Sequence, residues 1–272
     1  MQQLVDTFVV ESDSFNPWGQ HESLTAASAV LPTGSYTTLR TYGRDRVLRL
    51  DLHVRRLEES LASPTQLGLT RVRSALARSL ALTRHDESRV RLTFAPPRLF
   101  LSVERFVPLP EGARLRGVRC VTLRGLQRET PHAKRTEFIA AAANRYESLG
   151  AGIEEGLMVA ADGSILEGLS SNFFAVRKGE LLTEHERVLH GVTRAIVLEI
   201  ARALLNVRRE ALRVFELERA EEAFLTSVSR EIAPVVEIDG TMLGTGQPGP
   251  VTGELLRRFA ALVAQEAEPV GA

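Results

Sequence analysis

The sequence predicts an α+β fold built twice over, and three observations carry that reading. Apolar and β-branched runs come in adjacent pairs joined by short turns. Arg89-Val90-Arg91-Leu92-Thr93-Phe94 and Leu99-Phe100-Leu101-Ser102-Val103, around Ala95-Pro96-Pro97-Arg98, form such a pair. That is the pattern of hairpins rather than of βαβ crossovers. Stretches with apolar residues in helical phase separate these pairs. A polar stretch from Arg124 to Pro131, carrying Gly125 and Pro131, then breaks the periodicity. We therefore expect an N-terminal α+β domain over residues 1–123, a linker over 124–131 and a second domain over 132–272.

Taken in order, Gln3 to Val10 reads as a strand. Ser12 to Ser23 is polar and loop-like, and holds the single tryptophan, Trp18, to which the sequence assigns no role. Glu22 to Val30 reads as a short helix, ended by Leu31-Pro32-Thr33-Gly34. Ser35 to Tyr42 alternates and is rich in β-branched and aromatic residues, so a strand is expected, with Val47 to Leu50 returning as its hairpin partner. Asp51 is the expected N-cap of a helix whose apolar face is Leu52, Leu57 and Leu61. On it, His53 and Arg56 are three apart and so neighbours. Arg71 to Leu82 is a second helix, with Val72, Leu76 and Leu80 in phase. The Arg89 hairpin and a strand over Arg116 to Leu123 complete the first half.

In the second half a helix is expected from Lys134 to Ser148. Short strands follow at Gly156–Ala160, Ser164–Glu167 and Asn172–Val176, with a small-residue loop, Gly168 to Ser171, before the last. Thr193 to Leu205 is a helix, Ala223 to Thr226 a strand, Val235 to Ile238 a strand, and Gly253 to Ala264 a helix.

Composition excludes several classes. Formal net charge is zero, from 34 basic and 34 acidic residues, and the arginines are scattered, which argues against nucleic-acid binding. No apolar run is long enough to span a membrane. The start, Met1-Gln2-Gln3-Leu4-Val5-Asp6, has neither the basic segment nor the apolar one of a signal peptide. One cysteine, Cys120, excludes an intrachain disulfide and fits a reducing cytoplasm; its place in Val118-Arg119-Cys120-Val121 reads as strand core. His21, His53, His85, His132, His185 and His190 show no metal-ligand spacing, so no metal site is expected.

Among the 34 basic residues only Lys134 and Lys178 are lysines. Arginine cannot lose its proton near neutrality or condense with an aldehyde; lysine can do both. Lys178 sits in a polar turn, Arg177-Lys178-Gly179-Glu180. Lys134 follows Pro131-His132-Ala133, and is either a reactive lysine or an ordinary one at a helix start. Three further features stand out. Glu167 lies between apolar strand residues and a small-residue loop, where an unpaired carboxylate is costly; a solvated strand end is the alternative. His190-Gly191-Val192-Thr193-Arg194 precedes a helix and offers free amides, a hydroxyl and the positive end of the helix dipole to a phosphate. Leu225-Thr226-Ser227-Val228-Ser229-Arg230-Glu231 runs from a strand into hydroxyl-bearing residues, and could be a second set of phosphate donors or a turn. A lysine, a carboxylate and a phosphate seat are what pyridoxal 5′-phosphate needs.

These stretches resemble the class IV aminotransferases, the fold-type IV pyridoxal-phosphate enzymes. That family includes branched-chain aminotransferases, D-amino-acid aminotransferases and aminodeoxychorismate lyases. The matching segments come in family order: Leu39–Tyr42, Leu50–Leu57, Pro131–Lys134, Leu166–Gly168 with Ser171–Phe174, Gly191–Arg194 and Glu231–Val235. The resemblance implies a smaller N-terminal α+β domain and a larger, β-barrel-like C-terminal domain with flanking helices, the active site lying between them. It implies that Lys134 forms the Schiff base and moves a proton between substrate Cα and cofactor C4′. Glu167 would pair with the pyridine nitrogen. Arg56 would bind the phosphate, supported by His53, with Val192 and Thr193 doing so through backbone and hydroxyl. Ser227 or Ser229 would reach the phosphate too, although Val228 falls where a small or hydroxyl residue is usual. A homodimer is implied.

Two departures limit what the resemblance carries over. Ile139 stands where branched-chain members usually have a tyrosine, five residues after the lysine. Ala27–Gly34 replaces the usual Asp-containing turn before the first core strand. The expected activity is amino-group transfer between an amino acid and a 2-oxo acid. The rival is an aminodeoxychorismate-type lyase; a binding module that kept the fold and lost the chemistry would lack reason to keep Lys134, Glu167 and Thr193 together. Arg40, Arg91 and Arg98 are the candidates for holding a substrate carboxylate, each equally readable as a surface arginine.

Overall fold

A computed structural model describes residues 4–12, 14–63, 65–109 and 111–271. The chain divides into two compact units. One comprises Met1–Val107, Ala133–Ala141 and Leu262–Ala272; the other comprises Pro108–His132 and Ala142–Ala261.

The first unit runs β1 (Val5–Glu11), β2 (Ser14–His21), α1 (Leu24–Ala29), β3 (Ser35–Arg40), β4 (Arg46–Val47), α2 (Leu50–Glu59), α3 (Leu69–Thr83), β5 (Ser88–Ala95) and β6 (Arg98–Arg105). Five strands form an antiparallel sheet in the order β2-β1-β6-β5-β3. Leu50, Val54 and Leu57 of α2 and Val72, Leu76 and Leu80 of α3 are buried together with Leu39, Val90, Leu92 and Leu101 of the sheet. Such stripes of residues in 3.6 and 2 periodicity hold this core.

Three expectations for this region need correcting. Ser14–His21, within a stretch read as loop, is the edge strand β2, paired along β1. Most of its side chains are exposed, so it lacks the apolar alternation that marks a strand. Trp18 stands edge-on to Phe100, with ring centroids 5.2 Å apart. Val47–Leu50 does not return against β3. β3 pairs with β5, while Arg46 and Val47 pair with Pro269 and Glu268 near the C-terminus. Asp51 is not the cap of α2. The helix starts at Leu50, after Arg49 in the left-handed region at φ 51°. Asp51 lies in the first turn, where its charge faces the positive end of the dipole. Gln3, the expected start of the first strand, lies outside the described residues.

The second unit holds α4 (Glu111–Arg116), β7 (Val118–Arg124), the later turns of α5 (Glu137–Glu147), β8 (Glu155–Val159), β9 (Ile165–Gly168), β10 (Asn172–Arg177), β11 (Glu180–Leu182), α6 (Val192–Ala201), β12 (Val207–Arg208), β13 (Glu222–Ser227), β14 (Glu231–Ile238), β15 (Thr241–Met242) and most of α7 (Pro250–Glu266). Strand order is β12-β11-β10-β13-β14-β7-β8-β9, and β9 also pairs with β10. That last pairing closes β7, β8, β9, β10, β13 and β14 into a barrel-like ring. Val118, Cys120, Leu157, Val159, Phe173, Leu225 and Val235 share a core cluster in this unit. Burial pushes the Cys120 thiol pKa up, so the group is inert there.

β7, assigned by the sequence to the first domain, is hydrogen-bonded into this sheet, parallel to both β8 and β14. Parallel partners need long connections, so nothing local marks the pairing. The segment after Pro131 is also not yet helical. Tyr36 N–H donates to Lys134 O at 2.8 Å and Thr136 N–H to Gly34 O at 2.9 Å, which holds Lys134 extended beside β3. α5 begins only at Glu137.

Glu222 of β13 caps α7. Its carboxylate accepts from Val251 N–H at 2.9 Å, Thr252 N–H at 2.8 Å and Thr252 Oγ1 at 2.7 Å. Gly249 makes room, since a Cβ there would lie 2.0 Å from Glu222 Cδ. Glu222→Ala strips three bonds from a buried helix start. The expected loss is about 1–3 kcal/mol in a denaturant titration; an unchanged midpoint would refute the cap.

Candidate active site

In the first unit, Lys134 Nζ lies 4.6 Å from the centre of the Tyr36 ring, a cation–π distance. Its backbone N–H donates to Ser60 Oγ at 2.9 Å and its carbonyl accepts from β3. Two backbone bonds, one to the end of α2 and one to β3, thus fix where the side chain starts.

On α2 the expected neighbours His53 and Arg56 meet through a third residue. Thr37 Oγ1 of β3 lies 2.8 Å from His53 Nδ1 and accepts from Arg56 Nη2. Accepting from Arg56 leaves the Thr37 hydroxyl its own proton, which it can give to His53 Nδ1. His53 is 3% exposed. Burial first, then the positive charges of Arg56 and Lys134, hold its pKa well below the ordinary imidazole range. Folded His53 therefore stays neutral while the unfolded imidazole takes up a proton below about pH 6.5. Stability from this group is complete above that pH and falls as pH drops toward the folded pKa, at up to about 1.4 kcal/mol per unit. Urea titrations between pH 7 and 5 should show a shallower decline for His53→Gln than for the wild type.

The three candidate arginines fare differently. Arg40, 7% exposed, donates to Glu87 Oε2 at 2.8 Å and is flanked by the rings of Phe106 and Tyr42. Arg91 donates to Leu24 O at 3.0 Å and Ser28 Oγ at 2.8 Å, and burial lowers its pKa. Both guanidiniums are committed to protein partners. Arg98, at the β5–β6 turn, lies 5.7 Å from the centre of the Phe100 ring.

In the second unit, Glu167 on β9 is 2% exposed. Its carboxylate accepts from Arg128 Nε at 2.9 Å, Asn172 Nδ2 at 3.1 Å and Leu189 N–H at 3.2 Å. A charge this deep persists only if paired and hydrogen-bonded. Neither Arg128 nor Asn172 was given a role from the sequence. Arg128 lies in the stretch read as a linker, and only tertiary contact brings it to Glu167. Asn172 Nδ2 also donates to Leu189 O at 2.7 Å. A Cβ on Gly191 would lie 2.3 Å from Asn172 Oδ1, so glycine is required there. Asn172 thus ties the Glu167 carboxylate to the segment that opens α6.

α6 begins at Val192 with Gly191 as its N-cap and no side-chain cap bond, which leaves first-turn amides for an anion. Val192 and Thr193 are both buried at that start. Ser227 Oγ accepts from Arg230 N–H at 3.2 Å and so shapes the turn after β13; Ser229 lies half-buried in the same turn.

A second buried carboxylate secures these loops. Glu155, 0% exposed, pairs with Arg230 Nη1 at 2.6 Å and accepts from Ser171 Oγ at 2.9 Å and from the Tyr146 hydroxyl. Burial, then the Glu155 charge, pushes the Tyr146 pKa up, so the phenol stays protonated and donates. A Cβ on Gly168 would lie 2.9 Å from Glu155 Cδ. Glu155 is thus wedged beneath the turn that follows Glu167, while holding the turn that carries Ser227 and Ser229. Glu155→Gln leaves Arg230 without its charge partner. We expect a loss of order 3 kcal/mol by chemical denaturation, partly restored in Glu155→Gln/Arg230→Met; equal stability of the single variant and the wild type would exclude the role.

Three histidines that sequence spacing left apart come together. His132 and His190 rings are 4.3 Å apart and His190 and His185 4.6 Å. Their nitrogens face different partners: His132 Nδ1 the Val188 carbonyl, His190 Nε2 the His185 carbonyl, His185 Nε2 the Arg209 guanidinium. Burial and neighbouring positive charge lower the pKa of His185 and His190.

The second unit thus combines a barrel-like sheet, a buried carboxylate held by three donors and a helix start with no side-chain cap bond. The family model for amino-transferase class IV matches residues 34–238, and the chain belongs to the class IV aminotransferase family. A putative branched-chain-amino-acid aminotransferase of Methanocaldococcus jannaschii is 30% identical over 160 residues, 56% of each chain. The branched-chain-amino-acid aminotransferase of Escherichia coli K12 is 35% identical over 120 residues, 43% of this chain and 39% of its own length. The chain therefore spans between about two-fifths and just over half the length of these relatives in the matched regions. Among solved structures, a putative branched-chain aminotransferase of Thermotoga maritima covers 96% of this chain and 98% of its own, with TM-score 0.77 and 25% identity. An Escherichia coli branched-chain aminotransferase has TM-score 0.77 at 21% identity, covering 97% of this chain and 96% of its own; that likeness shows the fold.

Proposed function

We propose that this protein is a pyridoxal-phosphate-dependent aminotransferase that moves an amino group between an amino acid and a 2-oxo acid. The observation that carries the reading is Glu167: a charge held deep in the second unit by three donors, with an open helix start tied to it through Asn172. This donor set fits a phosphorylated pyridine. When bound, pyridoxal 5′-phosphate supplies a protonated ring that withdraws electrons from the substrate Cα.

The chain's residues supply the rest. Glu167 holds the proton on the ring nitrogen. Val192 and Thr193 offer amides and a hydroxyl to the phosphate, with Ser227 and Ser229 in the nearby turn as further donors. Arg56, oriented by Thr37 and through it by His53, is the phosphate-binding cation of the first unit. Lys134 anchors the cofactor and then carries the proton at the substrate Cα. Of the three arginines considered for a substrate carboxylate we retain Arg98, because Arg40 and Arg91 already serve Glu87 and the α1 region. The two compact units are read as the small and large domains of the family.

The relatives' names make leucine, isoleucine and valine the first substrates to test, with 2-oxoglutarate as acceptor. Ile139, where branched-chain members carry a phenol, is the reason to extend the panel to other amino acids of both chiralities. As part of the same reading the protein is a cytoplasmic homodimer. Among the described residues no helix is long and apolar enough to cross a membrane.

Protein purified with the cofactor should be yellow, and borohydride should fix the cofactor to Lys134. Glutamate should form from 2-oxoglutarate, and Lys134→Ala should cut turnover by about 10²–10⁴-fold or more. Wild-type turnover by that variant would sink the mechanism. Pyruvate release from aminodeoxychorismate without glutamate formation would replace it with elimination.

A further inference from the structure

A threonine outside the expected phosphate turn stands in the same row as Glu167. In the pairing of β9, β10 and β13, Glu167 is opposite Asn172, and Asn172 is opposite Thr226. Directly opposed residues on antiparallel strands project to one face. Asn172 contacts Leu189 and Gly191 just before α6, so this is the face on which α6 opens. The row continues into Phe174 and Phe224, stacked 4.9 Å apart and fully buried. The opposite face of the same strands, with Phe173, Ala175, Ala223 and Leu225, is in the core cluster.

Thr226 is 2% exposed, and among the described residues its Oγ1 has no hydrogen-bond partner. Asn172 cannot provide one from its amino group, since both Nδ2 hydrogens are spent on Glu167 and Leu189. A buried hydroxyl left unpaired is costly, and native structures seldom keep one without reason. Ser35, Ser88 and Thr93 also have unpartnered hydroxyls among the described residues, all on strands of the first unit's sheet. What distinguishes Thr226 is its place, one strand from Asn172 on the face where the amides of α6 are uncapped.

We propose that Thr226 is a further cofactor-contacting residue, its hydroxyl donating to a phosphate oxygen of pyridoxal 5′-phosphate seated at the start of α6. The inference rests on the cofactor assignment above. It places a contact one residue before the Ser227–Ser229 turn, on a strand rather than in a loop.

Thr226→Val tests it, because the variant keeps the shape and removes only the hydroxyl. The apoprotein should melt at the wild-type temperature or higher, since no protein partner is lost. Affinity of the apoprotein for pyridoxal 5′-phosphate should fall about ten-fold or more. Affinity for pyridoxal, which has no phosphate, should not change, and inorganic phosphate should bind more weakly. Thr226→Ser, which keeps the hydroxyl, should bind the cofactor as the wild type does. A lower melting temperature for the Val apoprotein, or unchanged cofactor affinity, would overturn the proposal. Equal weakening toward pyridoxal and its phosphate would move the contact away from the phosphate and overturn it too. A wild-type apoprotein that binds no pyridoxal 5′-phosphate would overturn the cofactor assignment along with it.

Discussion

The Glu167 carboxylate is held inside the second unit by donors from three separate segments: Arg128 before α5, Asn172 at the start of β10 and the Leu189 amide before α6. Each of those donors fixes the backbone that carries it. Removing the carboxylate would leave Arg128 and the Asn172 amide buried with partners missing, the costly outcome for polar groups at this depth. Two glycines follow from the same constraint. Gly191 is needed where Asn172 approaches and Gly168 where Glu155 and Ser171 do, since any side chain at either would occupy space those polar groups already fill.

A similar economy holds in the first unit, with a neutral group at its centre. His53 is kept uncharged by burial and by the cations beside it. Its bond to Thr37 leaves that threonine's oxygen to accept from Arg56. The Thr37 hydroxyl thus helps to aim the guanidinium, and His53 steadies that hydroxyl in turn. Lys134, in an extended segment hydrogen-bonded to β3 and Ser60, is placed by the backbone rather than by a helix.

Much of this was legible in the sequence, for identifiable reasons. Lys134 stood out because arginine is used almost everywhere else. Glu167 stood out because a carboxylate among apolar residues demands a partner. The β5–β6 hairpin and helices α2 and α3 carry strong periodicity. What was illegible depends on distance along the chain. Arg128 looked like linker because its partner is 39 residues away. β7 looked like the end of a domain because its neighbours are parallel. β2 looked like loop because an exposed edge needs no apolar alternation. Asn172 was seen as part of a motif, but its double bond to Glu167 and Leu189 is a property of the folded sheet. Thr226 was passed over because hydroxyls at 227 and 229 matched the family pattern better.

The pairing that closes the barrel-like ring is a single pair, Glu167 with Asn172. One of the two, Glu167, is the carboxylate proposed to hold the proton of the cofactor ring. A molecule that settles on Glu167 therefore settles on the seam of the sheet, and its binding energy is drawn into keeping that seam shut. In a cell, where free cofactor rises and falls, the lifetime of the folded barrel would then track the supply of the small molecule it uses.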